Sequence, residues 1–478
     1  MTNTPDSRRW FILAVLGVAQ LMVVLDATVV NIALPSAQQA LHFSNDQRQW
    51  IVTAYSLAFG GLVLLGGKLA DIFGRKWTLV VGLSGFALAS AVGGLAQNFL
   101  MLAGARAVQG AFGALLAPST LSLLNTTFTR SSERNRAFGV YGAIAGSGAS
   151  LGLLLGGALT QWLDWRAVMY INVGFAAIAL SGALILLRSQ PREVQSLDIP
   201  GVLAVGLGLF ALVYGLANAE TAGWTAPLTV AMLAVGVLLL VLFVLIESRV
   251  KNPLLPLRLL ADRNRAASLL SILVSASGMF GVFLFLTYYL QQNLGYSPLT
   301  TGVAFLPMTA VIVVTSITAQ TQLRPRVGSR PLVTVGMSLA VVALLLLTRL
   351  GVHATYASEI LPSLVLMGLA LGLIFSSAIN TATVGVKQND AGVASAMVNT
   401  TQQIGGTMGT AAFSSVYATA VSNYLVSVHN VAAATVYGYT TAFAVAAGVF
   451  FVGAIIAAAL YTGRQVAPVQ KGATGVAA

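Results

Sequence analysis

Fourteen apolar stretches follow one another along this chain, with only short polar breaks between them. They run over 11–34, 49–70, 77–97, 99–124, 137–160, 167–187, 199–218, 225–247, 267–291, 301–322, 331–350, 358–382, 394–420 and 438–462. A hydrocarbon core of ~30 Å needs about 20 residues of helix, and each stretch meets that length. Helices satisfy their own backbone polar groups, which lipid cannot do for them. Composition excludes the soluble alternative. The chain is 57% hydrophobic and 8% charged, against roughly 25% charged in a soluble protein. The expected fold is therefore an all-α polytopic membrane protein with 14 transmembrane helices. The first run is too long for a cleaved leader and ends at Pro35, not at a small-residue cleavage site.

The basic residues set an orientation. With the N-terminus in the cytoplasm, 21 of the 25 Lys and Arg residues fall on the cytoplasmic side. Arg48, Arg166 and Arg349 fall outside, and Arg106 lies within a span. This is a strong positive-inside bias, and it puts both termini in the cytoplasm. The net charge of +12 is thus a topology signal and no sign of nucleic-acid binding. Trp10, Trp50, Trp77, Trp162, Trp165 and Trp224 lie at or near span ends, where an aromatic belt belongs.

The cytoplasmic loop Leu69–Lys76 (LADIFGRK) and the loop Leu323–Arg330 (LRPRVGSR) share Leu, Gly and a final basic residue in register. Duplicated halves are typical of secondary transporters. Six spans precede residue 188 and six follow residue 266. The expected organisation is a six-helix bundle over 1–187 and a linker over 188–266 that carries two extra spans, about 199–218 and 225–247. A second six-helix bundle with a short tail then fills 267–478.

Two ionisable residues lie deep within spans, Asp26 and Arg106. Each costs about 2.5–3.5 kcal/mol at a helix centre. Counted from the span ends, both sit roughly 10–12 Å below the outer surface. They can pair if their helices are neighbours. Two readings stay open: a permanent ion pair that only holds the bundle, or a carboxylate that gains and loses a proton as water and Arg106 approach or retreat. The second is the least machinery a proton-coupled transporter needs. The fifth span carries Gly139, Gly142, Gly146, Gly148, Gly152, Gly156 and Gly157. Gly148, Gly152 and Gly156 recur every four residues on one face, making a groove for close packing or sliding. Glycine costs about 1 kcal/mol per helical position, so so many in one helix point to a bendable element at a moving interface.

These residues together resemble the fourteen-span drug:proton antiporters of the major facilitator superfamily. Four signatures carry the resemblance. LDATVVNIALP (Leu25–Pro35) is similar to the first-helix signature, with Asp26 at its acidic position. GKLADIFGRK (Gly67–Lys76) resembles the cytoplasmic gate signature, and RAVQGAFGA (Arg106–Ala114) the fourth-helix one. Gly139, Gly148, Gly152, Gly156 and Gly157 stand at the spacing of the antiporter helix. Leu153 stands where the family usually has Pro, so any bend there must come from glycine. The resemblance implies the major facilitator fold, two six-helix bundles plus the two inserted helices. It implies proton coupling at Asp26 and Arg106, and a cytoplasmic gate of Gly67, Asp71, Gly74, Arg75 and Lys76 locked against the neighbouring half. Candidates to line a substrate cavity are Asp26, Asn31, Gln109, Asn380 and Gln402. Gln402 stands where many members carry Arg. The amides of Gln402, Gln403 and Asn380 read either as substrate-facing groups or, the preferred reading, as interhelical hydrogen bonds.

The implied function is export of small lipophilic cationic or neutral drugs or metabolites by alternating access, in exchange for protons. The expected site is the cytoplasmic (inner) membrane of a bacterium. The expected partners are an amphiphilic small molecule, protons and the lipid bilayer. The chain is expected to act as a monomer and to need no cofactor or metal beyond the proton gradient. One charge moved through ~150 mV is worth roughly 3.5 kcal/mol, enough for a gradient of about 300-fold. A proton-coupled importer or a narrow metabolite exporter of the same fold is the alternative. A membrane enzyme is disfavoured, since His42, His353 and His429 are far apart and near outer loops, and the chain has no Cys. No phosphate-binding Gly-Lys-Ser/Thr loop is present.

Overall fold

The computed structural model describes residues 6–43, 45–188, 198–250, 253–386, 390–428 and 430–462. Among them every regular element is helical. The first six long helices are α1 (Asp6–Leu41), α2 (Asn45–Phe73), α3 (Arg75–Gly94), α4 (Phe99–Thr127), α5 (Ser131–Trp162) and α6 (Ala167–Leu186). An inserted hairpin follows, α7 (Ile199–Ala222) and α8 (Pro227–Glu247), then a single turn, α9 (Arg258–Ala261). The remainder comprises α10 (Arg263–Tyr288), α11 (Pro298–Ala304), α12 (Leu306–Thr318), α13 (Arg324–Val327), α14 (Ser329–Leu347), α15 (Leu361–Thr383), α16 (Ala391–Val428) and α17 (Val431–Leu460). Three π-helical turns, Tyr289–Asn293, Ala319–Leu323 and Tyr356–Ile360, continue or begin these rods.

Twelve helical rods are long and apolar enough to cross a membrane, or thirteen if α5 counts as one span. α5 bends by 50° between Ser131–Gly148 and Leu151–Trp162. No proline lies there, so the flexible Gly-Ser-Gly run at 146–148 is the physical source of the bend. The expected span at 394–420 lies on α16, which is long enough but lowered in apolarity by Asn399, Thr400, Thr401, Gln402 and Gln403. Such a polar middle is tolerated where a helix faces protein instead of lipid, and α16 packs on α2, α4, α7, α10 and α17.

Within the first six helices, backbones approach through glycine. A Cβ at Gly110 would collide with the Tyr55 carbonyl oxygen, and one at Gly66 with that of Ala114, so α2 and α4 touch main chain to main chain. The inserted hairpin leans on α2 in the same way, Gly61 against Gly206. Its second helix turns Val230, Val237, Leu238, Val241 and Leu245 outward, the surface expected of a lipid-facing helix.

The glycine-rich α5 has two faces. On one, Gly148 meets Val24, Gly152 meets Thr28 and the Leu25 carbonyl, and Gly156 meets the Val29 carbonyl, all on α1. On the other, Gly139 meets Ile317 and Ser316, Gly142 meets Ser376, and Gly146 meets Ile312, all beyond residue 300. Gly157 is buried. The four-residue glycine repeat thus serves packing on α1, while the seam with the last helices uses the glycines earlier in α5.

Candidate functional site

Asp26 is 2% exposed and Arg106 1% exposed, and they form an ion pair: Arg106 Nη1 donates to Asp26 Oδ2 at 2.6 Å. Two amides complete the carboxylate. Gln109 Nε2 donates to Asp26 Oδ1 at 2.8 Å, and Asn172 Nδ2 donates to the same oxygen at 2.7 Å. Gln109 bridges further, accepting from Arg106 Nη1 at 2.6 Å and donating to Ser90 Oγ at 2.7 Å. The Arg106 guanidinium lies 4.3 Å from the centre of the Tyr55 ring. Arg106 Nε is buried without a partner.

The cluster draws on α1, α2, α3, α4 and α6, so it sits at the heart of the first six helices. Three N–H donors converge on two carboxylate oxygens, the arrangement an anionic carboxylate accepts. Removing either charge would strand the other in a protein interior, an event worth about 3–5 kcal/mol. The remaining helix of the six, α5, packs on α1 at Val24, Leu25 and Thr28, the residues flanking Asp26. A change in the cluster that shifts α1 is thereby felt at once by the helix that also borders the other half.

The gate residues lie at the basic end of the molecule. Asp71 Oδ1 accepts from Arg75 Nη2 at 3.1 Å and from the Gly392 backbone N–H at 3.2 Å. The second bond crosses between the halves and uses the N-terminus of α16, whose dipole favours a carboxylate. Gly67 makes the close approach possible: a Cβ there would lie 2.7 Å from Ala396 Cβ and from the Gly392 carbonyl oxygen. Gly74 turns the chain between α2 and α3 at φ +91°, a conformation that suits glycine. Lys76 departs from the expected inter-half lock. Its Nζ donates to the carbonyls of Leu184 (3.1 Å) and Leu187 (2.6 Å) at the end of α6, in its own half. A lysine there caps the unsatisfied carbonyls of a helix C-terminus.

The cavity candidates do not come together. Gln109 is consumed by the Asp26 cluster, and Asp26 itself is enclosed. Asn380 is at the basic end, where its Nδ2 donates to Gln320 Oε1 at 2.7 Å and its Oδ1 accepts from Arg134 Nε at 3.4 Å. It is therefore an interhelical amide of the seam, a residue four from the end of α15 being too near that end to line a mid-membrane cavity. Gln402 is half-buried on α16. Asn31 belongs to α1, and its side chain lies outside the described residues.

Three members of the site escape sequence reasoning: Asn172, Ser90 and Tyr55. Asn172 had a usable signal, being the one amide in the apolar α6. Ser90 and Tyr55 had none, since serine and tyrosine are ordinary in such helices. A second buried triad, Gln20 Oε1 accepting from Tyr141 OH (2.9 Å) and Thr120 Oγ1 (3.3 Å), ties α1 to α5 and α4.

Helical rods of membrane length, an ion pair enclosed at mid-span and a glycine-lined seam define a membrane transporter of the two-bundle kind. Residues 16–410 match the Major Facilitator Superfamily, and the chain belongs to that family. It is 48% identical over 480 residues to the puromycin resistance protein pur8 of Streptomyces alboniger, covering 99% of this chain and 95% of that one. It is 36% identical to the cephamycin export protein CmcT of Amycolatopsis lactamdurans, covering 82% of each. It is 34% identical to the tetracenomycin C resistance and export protein of Streptomyces glaucescens, covering 86% of this chain and 77% of that one. Among solved structures the human organic anion transporter MFSD10 shares the fold, with TM-score 0.66, 17% identity, and coverage of 95% of this chain and all of that one. The chain is thus a multi-span transporter of the bacterial cytoplasmic membrane and not an enzyme.

Proposed function

We propose that this chain is a drug:proton antiporter that exports small lipophilic antibiotics or metabolites, cationic or neutral, by alternating access. One observation carries the reading: the enclosed Asp26–Arg106 pair sits on α1 at the point where α5 packs, and α5 borders the other half with its opposite face. In this mechanism the basic-end gate is closed while Asp26 is ionised and held by Arg106, Gln109 and Asn172. Protonation removes the attraction to Arg106, α1 settles differently on the glycine groove of α5, and the seam at Gly139 and Gly142 opens. Substrate entering from the cytoplasmic leaflet then favours loss of the proton to the cytoplasm while that end is open, and the halves rock back with substrate bound and Asp26 ionised. The division into 1–187, 188–266 and 267–478, cytoplasmic termini and action as a monomer belong to the same reading. No cofactor is required, because the proton gradient supplies the energy.

The similarity to puromycin, cephamycin and tetracenomycin C export or resistance proteins supports antibiotics as the substrate class, with puromycin the first to try. The test is transport in inverted vesicles energised by a respiratory substrate. Puromycin and ethidium uptake is followed together with a pH probe. Uptake that dissipates the pH gradient supports antiport. Uptake insensitive to collapse of the pH gradient would remove proton coupling, and no uptake across a panel of amphiphiles would favour a narrow exporter or an importer.

A further inference from the structure

At the basic end, two arginines from opposite halves meet without a carboxylate. Arg134 stands in the first turn of α5, and Arg324 opens α13. Arg324 Nη1 donates to Asn135 Oδ1 at 2.8 Å and its Nε to Ser329 Oγ at 3.1 Å. Arg134 Nε donates to Asn380 Oδ1 at 3.4 Å, and its guanidinium rests 5.0 Å from the centre of the Phe138 ring. Asn380 Nδ2 in turn donates to Asn135 Oδ1 at 3.3 Å, so two neutral carboxamides are all that links the two cations. Neither arginine has an ion-pair partner among the described residues. The neighbouring acid, Glu133, is engaged by Arg9 at 3.0 Å and Arg130 at 3.4 Å. Arg134 Nη2 is buried with nothing to donate to. Asn135, Arg134 and Arg324 are nevertheless only part-buried, so the site is open to the basic face.

Closing this seam brings two positive charges together and leaves a donor unused. Both defects vanish if an oxyanion enters, because guanidinium forks match the oxygens of a phosphate group. We propose that Arg134 and Arg324 form an anion site for a phosphate group, and that its occupancy holds the basic end closed. The phosphate belongs either to an anionic lipid headgroup or to a free phosphate ion. Arginine clusters at the cytoplasmic membrane boundary suit the former. The site is distinct from the Asp26 cluster and does not depend on the identity of the exported molecule or on proton coupling. It would make gate closure responsive to the lipid or phosphate around the transporter.

The chain contains no Cys, so a single pair of introduced cysteines can be labelled cleanly. Ile185→Cys and Pro331→Cys place spin labels on exposed positions of the two halves at the basic end. Pulsed EPR distances are recorded in phosphatidylcholine nanodiscs, in nanodiscs with added phosphatidylglycerol, and in phosphatidylcholine nanodiscs titrated with inorganic phosphate. The proposal expects the short-distance population to rise with phosphatidylglycerol, with phosphate, or with both, and which arm responds identifies the source. The Arg134→Gln/Arg324→Gln pair should lose that response while keeping a monodisperse profile, and Arg324→Lys should keep part of it. A distance distribution indifferent to both additions overturns the proposal. So does a response that survives intact in the double variant. Should the double variant fail to fold, Arg324→Gln alone decides, through a right-shifted titration or an unchanged one.

Discussion

The two halves of this transporter bury different kinds of polarity. The first six helices enclose an ion pair, Asp26 with Arg106, surrounded by Gln109, Asn172, Ser90 and Tyr55. Among the described residues, the last helices bury charge only near the basic end, at Arg265 and Asp390, and elsewhere bury neutral groups: Gln320 with Ser377 at 3.2 Å, Ser277 with the Gly405 carbonyl at 2.7 Å, Ser316 with the Gly372 carbonyl at 3.3 Å. Neutral hydrogen bonds of this kind hold helices together and change little with pH. A buried ion pair has two states of different charge. Under the proposed function, the energy-coupling step falls to the first half, with the second as its packing partner.

The largest expected effect comes from discharging the first half. Asp26→Asn should abolish proton-coupled uptake in vesicles, and it should destabilise the protein by about 3–5 kcal/mol because Arg106 loses its counter-charge. A thermal unfolding assay in detergent reads the second part, and Asp26→Asn combined with Arg106→Gln should recover much of the stability but none of the coupling. If the single variant still transports against a gradient, the contrast between the halves carries no functional meaning. Next in size is the seam itself. A Cβ at Gly142 would lie 2.7 Å from Ser376 Cα, so Gly142→Val should wedge the basic end apart and cut transport at least tenfold. Distances between spin labels at the basic end should lengthen, whereas unchanged distances would mean that α5 does not set the closure.

A smaller effect sharpens the assignment within the cluster. Asn172→Ala removes one of the two donors to Asp26 Oδ1, at a cost of about 1–3 kcal/mol. With one fewer donor holding the carboxylate in place, proton-coupled transport should fall several-fold, while Asn172→Gln should restore part of it. Loss of stability with an unchanged ratio of protons moved to substrate moved would make Asn172 purely structural. The smallest effect belongs to the second half. Gln402→Ala should leave proton coupling intact and alter stability by less than about 0.5 kcal/mol. A change of coupling there would mean the neutral half takes part in proton transfer.

Much of this was legible in the residues alone. Hydropathy located every long rod, because lipid imposes a length and a composition that few sequences meet by chance. Depth allowed Asp26 to pair with Arg106 if their helices were neighbours, and the contact of α1 with α4 supplies that condition. The roles of amides were not legible. Gln109 and Asn380 look alike in sequence, yet one closes the ion-pair cluster and the other bridges the basic end. An amide fits either setting, and only helix rotation decides which. Lys76 also misled, because a basic residue in a gate loop can cap its own half as readily as reach across. The doubling of glycine faces on α5 needed the neighbours on both sides, which no spacing reveals.

The most direct test follows protons at the moment of substrate binding. Purified protein in weakly buffered detergent is mixed with puromycin and a pH indicator, wild type beside Asp26→Asn. The account predicts that wild type releases about one proton per molecule bound, and that Asp26→Asn binds without release. Release of the same size from Asp26→Asn would place the coupling carboxylate elsewhere and contradict the central claim.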